Sequence, residues 1–198
     1  LKRNNIRWIK NFNDLKKGPV IFFGNEFFDA IPIKQFKRKD NILFEKYYSL
    51  NKDFKIKSCF KKASITDFKS INSFKSLRNL QFIEYPKSGL DELKKIIKKV
   101  KDLEGCVLLI DYGYLKPNNQ DTLQSVLRHK KNPILKNIGK ADVTSHVNFA
   151  LLKEFFVKNK LKVKNTISQS EFLLNLGIKE RAEIVAKKMK FTDQANLF

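Results

Sequence analysis

The chain has 198 residues, 42% of them hydrophobic with 18 Phe, and its 41 Lys and Arg against 20 Asp and Glu give a formal net charge of +21. That apolar content supports one domain with a sizeable core and excludes a disordered chain. No run approaches the roughly 20 apolar residues of a membrane span, and the N-terminus lacks the apolar core of a signal peptide. The two cysteines, Cys59 and Cys106, have no metal-ligand spacing and read as reduced and structural, Cys106 inside a buried strand. A reducing compartment is therefore expected: cytoplasm in a bacterium, mitochondrial matrix in a eukaryote.

The charge invites a nucleic-acid reading, since a basic surface attracts phosphates whatever the sequence. Only six of the 41 basic residues are arginine, however, and the lysines are scattered among Asn and Ile, the mixture an AT-rich genome produces. No nucleic-acid motif accompanies them. Phe and Lys interleave over Phe54–Phe60 and Phe68–Phe74, a pattern that can stack bases but more often marks a Phe core under a solvated lysine face.

In chain order, Val20 to Phe23 is a continuous apolar run bounded by Gly18-Pro19 and Gly24, the pattern of a parallel strand buried on both faces. From Ile33 to Phe60 the apolar residues alternate loosely around turns at Arg38–Asn41 and Asn51–Asp53, predicting a β-rich insertion of two or three antiparallel strands. Ser64 to Leu80 is ambiguous. Leu90 to Leu103 has one apolar face and a solvated lysine face, and predicts a helix capped by Ser88 and ended at Gly105. Cys106 to Ile110 predicts a second buried strand that ends in Asp111-Tyr112-Gly113. Pro117, Asn118 and Asn119 open a long loop carrying Arg128 and His129, and Ser145 is placed to cap a helix reaching Asn159. Leu161 to Ser168, and a short piece after Gly177, read as final strands. Alternation of helix and strand on this spacing predicts an α/β fold.

Polar residues directly after apolar strands are the chemical signal. Ligands of open α/β sheets bind outside the carboxyl ends of the strands, where Asn25, Glu26 and Asp29 follow the first run and Asp111 follows the second. Turn or helix capping explains Asn25 and Asp29 equally well.

Five segments, in order, resemble the MidA family of class I methyltransferases, which includes a mitochondrial complex I assembly factor of the arginine methyltransferase type. They are Asn25-Glu26-Phe27-Phe28-Asp29-Ala30-Ile31-Pro32, with Ile31 where the family has leucine; Asp111-Tyr112-Gly113; Asp121-Thr122-Leu123-Gln124 with Arg128-His129; Ala141 to Phe149; and Gln169 to Ile178. The segment from Asn51 to Leu80 has no counterpart. The resemblance implies a partial Rossmann-like class I methyltransferase sheet with a β-rich insertion over roughly residues 33–82. It also implies S-adenosyl-L-methionine as cofactor and a protein arginine side chain as substrate, with a respiratory complex I subunit as candidate partner. The family opens with a strand, a Gly-rich turn and an acidic ribose ligand, yet the seven glycines here never fall into a Gly-x-Gly spacing. Against the family, Leu1 falls just before the fourth core strand and Phe198 before the last. The resemblance therefore implies the C-terminal portion of a single methyltransferase domain, a fragment inactive by itself.

A guanidinium substrate is a planar cation with several N–H donors, for which paired carboxylates are the natural clamp. Glu26 and Asp29, with Asp111, are the candidates for that role, and Asn25 and Glu26 are candidates for holding the cofactor. His146 can accept a proton or orient the substrate, or simply cap and pack. Tyr112, Gln124, Arg128 and His129 are candidate substrate contacts, although a basic loop pair is common in so lysine-rich a chain. No metal-ligand set is present in the sequence. Two other classes compete with the enzyme: a non-catalytic assembly protein and a basic nucleic-acid-binding module. The sequence leaves the oligomeric state open.

Overall fold

A computed structural model describes residues 6–53 and 55–189. Leu1, Phe54 and Phe198 lie outside the described residues. The chain divides into two compact units between Val163 and Lys164. None of the described helices is long and apolar enough to cross a membrane.

In the first unit, β1 (Val20–Asn25) pairs in parallel with β6 (Gly105–Ile110), from Val20 opposite Gly105 to Asn25 opposite Ile110. Gly105 is required there, because a Cβ would lie 1.9 Å from the Val20 carbonyl oxygen. The parallel pairing matches the apolar runs, but burial on both faces does not occur. Ile21 is 74% and Phe23 63% exposed, and Cys106 is exposed rather than packed in a core. Alternation explains this: one face of the pair lies against α2 (Lys87–Leu103), while the other has no covering layer among the described residues. β1 also has no neighbour on its second edge within those residues.

Between β1 and α2 the chain builds an antiparallel sheet in the order β4-β3-β2-β5, from β2 (Lys34–Lys39), β3 (Ile42–Leu50), β4 (Ile56–Lys62) and β5 (Phe82–Tyr85). The expected insertion thus has three sequential strands and a fourth that returns beside the first. The ambiguous stretch becomes α1 (Ile65–Asn72), capped by Ser64, and a 3-10 turn at Lys75–Leu77. Phe36, Leu43, Ile71, Leu77 and Ile83 are fully or almost fully buried and form a closed core. Of the interleaved phenylalanines described, only Phe74 joins it: Phe60 and Phe68 are each 37% exposed, Phe60 beneath Lys37 Nζ at 4.7 Å, so these segments are not mainly a Phe core.

One buried acid ties this sheet to α2. The Asp67 carboxylate accepts from Lys34 Nζ at 2.9 Å and Lys87 Nζ at 2.8 Å, and the Asp67 backbone N–H donates to the cap residue Ser64 Oγ at 3.0 Å. Burial pushes its carboxyl up, but the hydrogen bonds from Lys87, Lys34 and Ser64 outweigh that and hold it at about 2.

α2 starts three residues earlier than its periodicity predicts. Pro86 ends β5 with its fixed φ and sits at the cap position, so Ser88 lies inside the first turn instead of capping it. At the other end, Glu104 at φ +53 reverses the chain before Gly105 begins β6. The lysine face is solvated as expected. Gly89 permits close approach, since a Cβ there would meet Phe28 and Ile31 at about 3 Å and push the 25–32 segment away from the helix.

The remainder of the unit comprises β7 (Gly113–Tyr114), β8 (Gln124–Leu127), β9 (Lys130–Asn132), β10 (Asp142–Thr144), β11 (Val147–Asn148) and α3 (Phe149–Lys158). β10, β8 and β9 form one antiparallel sheet, and β11 pairs in parallel with β7. Asn148, not Ser145, caps α3: its side chain accepts from Leu151 N at 3.0 Å. The helix ends with Lys160 at φ +59 and a bond from Leu161 N to the Phe156 carbonyl at 3.0 Å.

Residues 161–168 contain no strand, although their apolar residues alternate. A strand needs a partner for its backbone groups, and none is available there among the described residues. The second unit holds α4 (Gln169–Asn175), capped by Ser168, and α5 (Ile178–Ala186). Gly177 at φ +80 makes the turn between them, so the piece after Gly177 is a helix and not a strand.

Candidate functional site

The carboxyl ends of β1 and β6 lie side by side because Asn25 and Ile110 are register partners. Glu26 N–H continues the ladder to the Ile110 carbonyl at 2.9 Å while its own backbone turns to φ +46. A non-glycine residue in that region is held by its surroundings, and such strain concentrates at functional sites. The turn leaves the side chains of Asn25 and Glu26 exposed, with no hydrogen-bond partner among the described residues.

Asp111 organises the segment that follows. Its Oδ2 accepts from Phe28 N at 2.8 Å and Asp29 N at 3.1 Å, and its Oδ1 accepts from Tyr112 N at 2.9 Å. Burial pushes the Asp111 carboxyl up, against the backbone bonds from Phe28 and Asp29 that favour the anion. With both oxygens accepting from main-chain N–H groups, Asp111 holds this segment in place, and its Oδ1 keeps acceptor capacity beyond the Tyr112 bond.

Asp29 is buried. One oxygen accepts from the Tyr112 phenol, and the other has no partner among the described residues. Burial raises the Tyr112 phenol above its ordinary value, with Asp29 adding to the effect. The Tyr112 ring meets His146 edge to face, with centroids 5.5 Å apart at 88°. His146 and the rim of Tyr112 reach solvent.

Three successive backbone N–H groups hold His146 in place. Ser145 N donates to the Asp29 carbonyl at 3.0 Å, His146 N to Thr122 Oγ1 at 3.0 Å, and Val147 N to the Tyr112 carbonyl at 3.0 Å. The sequence-predicted residues Asp29, Asp111, Tyr112 and His146 therefore come together, and Asn25 and Glu26 border them on the same strand end.

The remaining candidates are placed differently. Gln124 begins β8 and donates to Thr144 Oγ1 at 3.2 Å, which ties it to β10. Arg128 and His129 are not on a long loop; they form the two-residue turn of the β8–β9 hairpin, both with positive φ, and are exposed. Tight hairpins require those backbone angles, so turn geometry accounts for their position.

Two residues of this neighbourhood escaped the sequence reading. Thr122 lies in a matched segment, but nothing distinguished its hydroxyl. Glu84 carries no sequence signal: it sits in β5, where strand alternation alone does not tell a buried acid from a solvated one. Beside the cluster, between the β1–β6 pair and α2, is a cavity of about 330 Å³ lined by Phe22, Gly24, Asn25, Phe27, Glu92 and Ile96, among others. Among the described residues no three His, Cys, Asp or Glu side chains are placed to hold a metal ion.

Paired parallel strands, polar groups gathered at their carboxyl ends and a strained acidic residue at the turn are the layout of a small-molecule site in an α/β protein. Comparison with known proteins agrees. A family model described as "Putative S-adenosyl-L-methionine-dependent methyltransferase" matches residues 2–167. The mitochondrial protein arginine methyltransferase NDUFAF7 homolog of Caenorhabditis elegans is 32% identical over 182 residues, covering 89% of this chain and 42% of that relative. The human protein arginine methyltransferase NDUFAF7 is 26% identical over 185 residues, covering 92% of this chain and 41% of that relative. This chain thus spans less than half the length of these relatives. A Burkholderia thailandensis structure bound to S-adenosyl-homocysteine superposes with a TM-score of 0.73 at 20% identity, covering 98% of this chain and 51% of that one. By sequence over most of its length, and with a matching fold, the chain belongs to this family of S-adenosyl-L-methionine-dependent methyltransferases.

Proposed function

We propose that this chain forms the substrate-facing part of an S-adenosyl-L-methionine-dependent protein arginine methyltransferase. The observation that carries the proposal is the Asp29, Tyr112 and His146 cluster at the ends of β1 and β6, with the unpartnered Glu26 carboxylate beside it. The names of the relatives support the substrate class. They also support a mitochondrial setting, and a complex I subunit as target, or a bacterial cytoplasmic setting, is part of the same proposal.

The residues present fit one end of the cofactor. Asn25 and Glu26 offer exposed, unpartnered polar groups at a strand end, suited to its polar groups. The bound cofactor supplies an electrophilic methyl group. Glu26 then accepts guanidinium N–H bonds, which draws positive charge away from the reacting nitrogen and fixes its direction. His146 receives the proton that this nitrogen loses as its new C–N bond forms. Tyr112, held by Asp29, packs the imidazole in place and limits water access. The open Asp29 oxygen is an unused acceptor beside the phenol, the kind of exception that marks a ligand site.

Calorimetry tests the division of the site. Residues 1–198 alone should bind S-adenosyl-L-methionine too weakly to measure, and micromolar binding would refute the split. In a protein of the relatives' length, Glu26→Gln should abolish methyl transfer, with at most a partial loss of cofactor affinity because Asn25 remains; unchanged turnover removes Glu26 from the site.

A further inference from the structure

We propose that Glu84 is a positioning residue for His146 and acts through the hydroxyl of Thr122. The proposal rests on the reading of His146 as part of the methyl-transfer site. Glu84 is buried in β5, and its carboxylate is satisfied only by neutral donors. Its Oε1 accepts from Gln35 Nε2 at 3.0 Å, Thr122 N at 3.1 Å and Leu123 N at 3.2 Å, while its Oε2 accepts from Thr122 Oγ1. No lysine or arginine is in ion-pair contact with it among the described residues. A buried carboxylate without a counter-ion depends on keeping every such donor.

That dependence fixes the Thr122 hydroxyl. It has one proton, and an anion on one side takes it. Its oxygen is left to accept, and the donor that reaches it is His146 N at 3.0 Å. Of the three N–H bonds that seat residues 145–147, those of Ser145 and Val147 go to main-chain carbonyls. Only the central one, that of His146, goes to a side chain, so only that bond is set by a remote group. The imidazole rests on the Tyr112 ring, so a shift in the His146 backbone is felt at both rings.

Glu84 also acts on the underside of the site. The Tyr114 phenol is pushed up to about 12, first by burial and next by the Glu84 charge. Tyr114, Glu84, His146 and Asn148 line one small cavity. The antiparallel sheet is thereby connected to the site: Gln35 in β2 bridges Glu84 and Asp121, at 3.0 and 2.6 Å, and Lys46 in β3 donates to Gln35 Oε1 at 3.0 Å.

The chain has two histidines, so NMR of a ¹³C-histidine-labelled 198-residue chain in a His129→Asn background reports on His146 alone. Thr122→Val keeps the volume and removes the hydroxyl; it should move the His146 imidazole resonance, and Thr122→Ser should restore the original position. Glu84→Gln should move it in the same direction, with no further change when combined with Thr122→Val. A folded Thr122→Val chain whose His146 resonance stays in place overturns the proposal, as does failure of Thr122→Ser to restore it. If Glu84→Gln does not fold, the Val and Ser pair at residue 122 decides by itself. If the resonance moves as expected but His146→Ala leaves turnover of the longer enzyme unchanged, the positioning link stands and only the catalytic reading of His146 falls.

Discussion

The antiparallel sheet and the parallel pair are built from similar apolar strands, yet one is closed and the other is half bare. In the β4-β3-β2-β5 sheet Phe36 is 0% exposed, and it packs with Leu43, Ile71, Leu77 and Ile83 in a core that α1 and the turn after it help to close. In the β1–β6 pair the face toward α2 is only partly buried around a cavity, while Ile21 and Phe23 on the opposite face stand in solvent. Hydrophobic strands of a parallel sheet are normally covered on both sides. The contrast indicates that the insertion supplies its own stability, whereas the strand pair that carries the site leaves one apolar face uncovered among the described residues. A region with its own core should respond to truncation of core residues, and a bare face should not.

The largest expected effect follows from that. Phe36→Ala removes a ring with no solvent contact and should destabilise the chain by roughly 3–5 kcal/mol in chemical denaturation. A loss below about 1 kcal/mol would mean that the insertion is not the stable centre of the unit.

Acid should separate the two regions next. Asp67, at about 2 in the folded chain, titrates near 3.9 when unfolded, so its ion pairs with Lys34 and Lys87 contribute fully above the unfolded value. That contribution is lost as the pH falls from about 4 through about 2, a change of about 2 kcal/mol. Denaturation midpoints measured across this range should fall steeply, and Asp67→Asn should flatten the fall. An unaltered slope in the variant would place acid sensitivity elsewhere.

What could be read from the chain divides along the same line. The ends of β1 and β6, the α2 face and the insertion were legible because apolar periodicity and turn residues report local structure directly. Pairing partners were not. Residues 161–168 alternate like a strand and find no neighbour, and Val20 to Phe23 reads as doubly buried although only one face is covered. Site residues followed a similar pattern. Asp29, Asp111, Tyr112 and His146 carried a family resemblance and come together. The cap of α3 passed from Ser145 to Asn148 because the two-residue strand β11 intervenes before the helix. Glu84 was invisible, since its burial arises from the return of β5 beside β2, opposite Gln35, and no local pattern encodes that contact.

The smallest expected effect is the most informative about the bare face. Phe23→Ser on β1 removes a side chain that is 63% exposed, so little buried area is lost and stability should change by no more than about 0.5 kcal/mol. Contiguous exposed apolar groups promote association, and together with Ile21 on an unpaired strand edge this residue should drive self-association of the chain at high concentration. Light scattering of the parent and of Phe23→Ser measures that directly: the variant should remain monodisperse where the parent does not. In a protein of the relatives' length the same substitution should instead be costly, because a covering layer would bury the ring. Equal, small effects in both contexts would show that the face is solvated by design and that β1 needs no further cover.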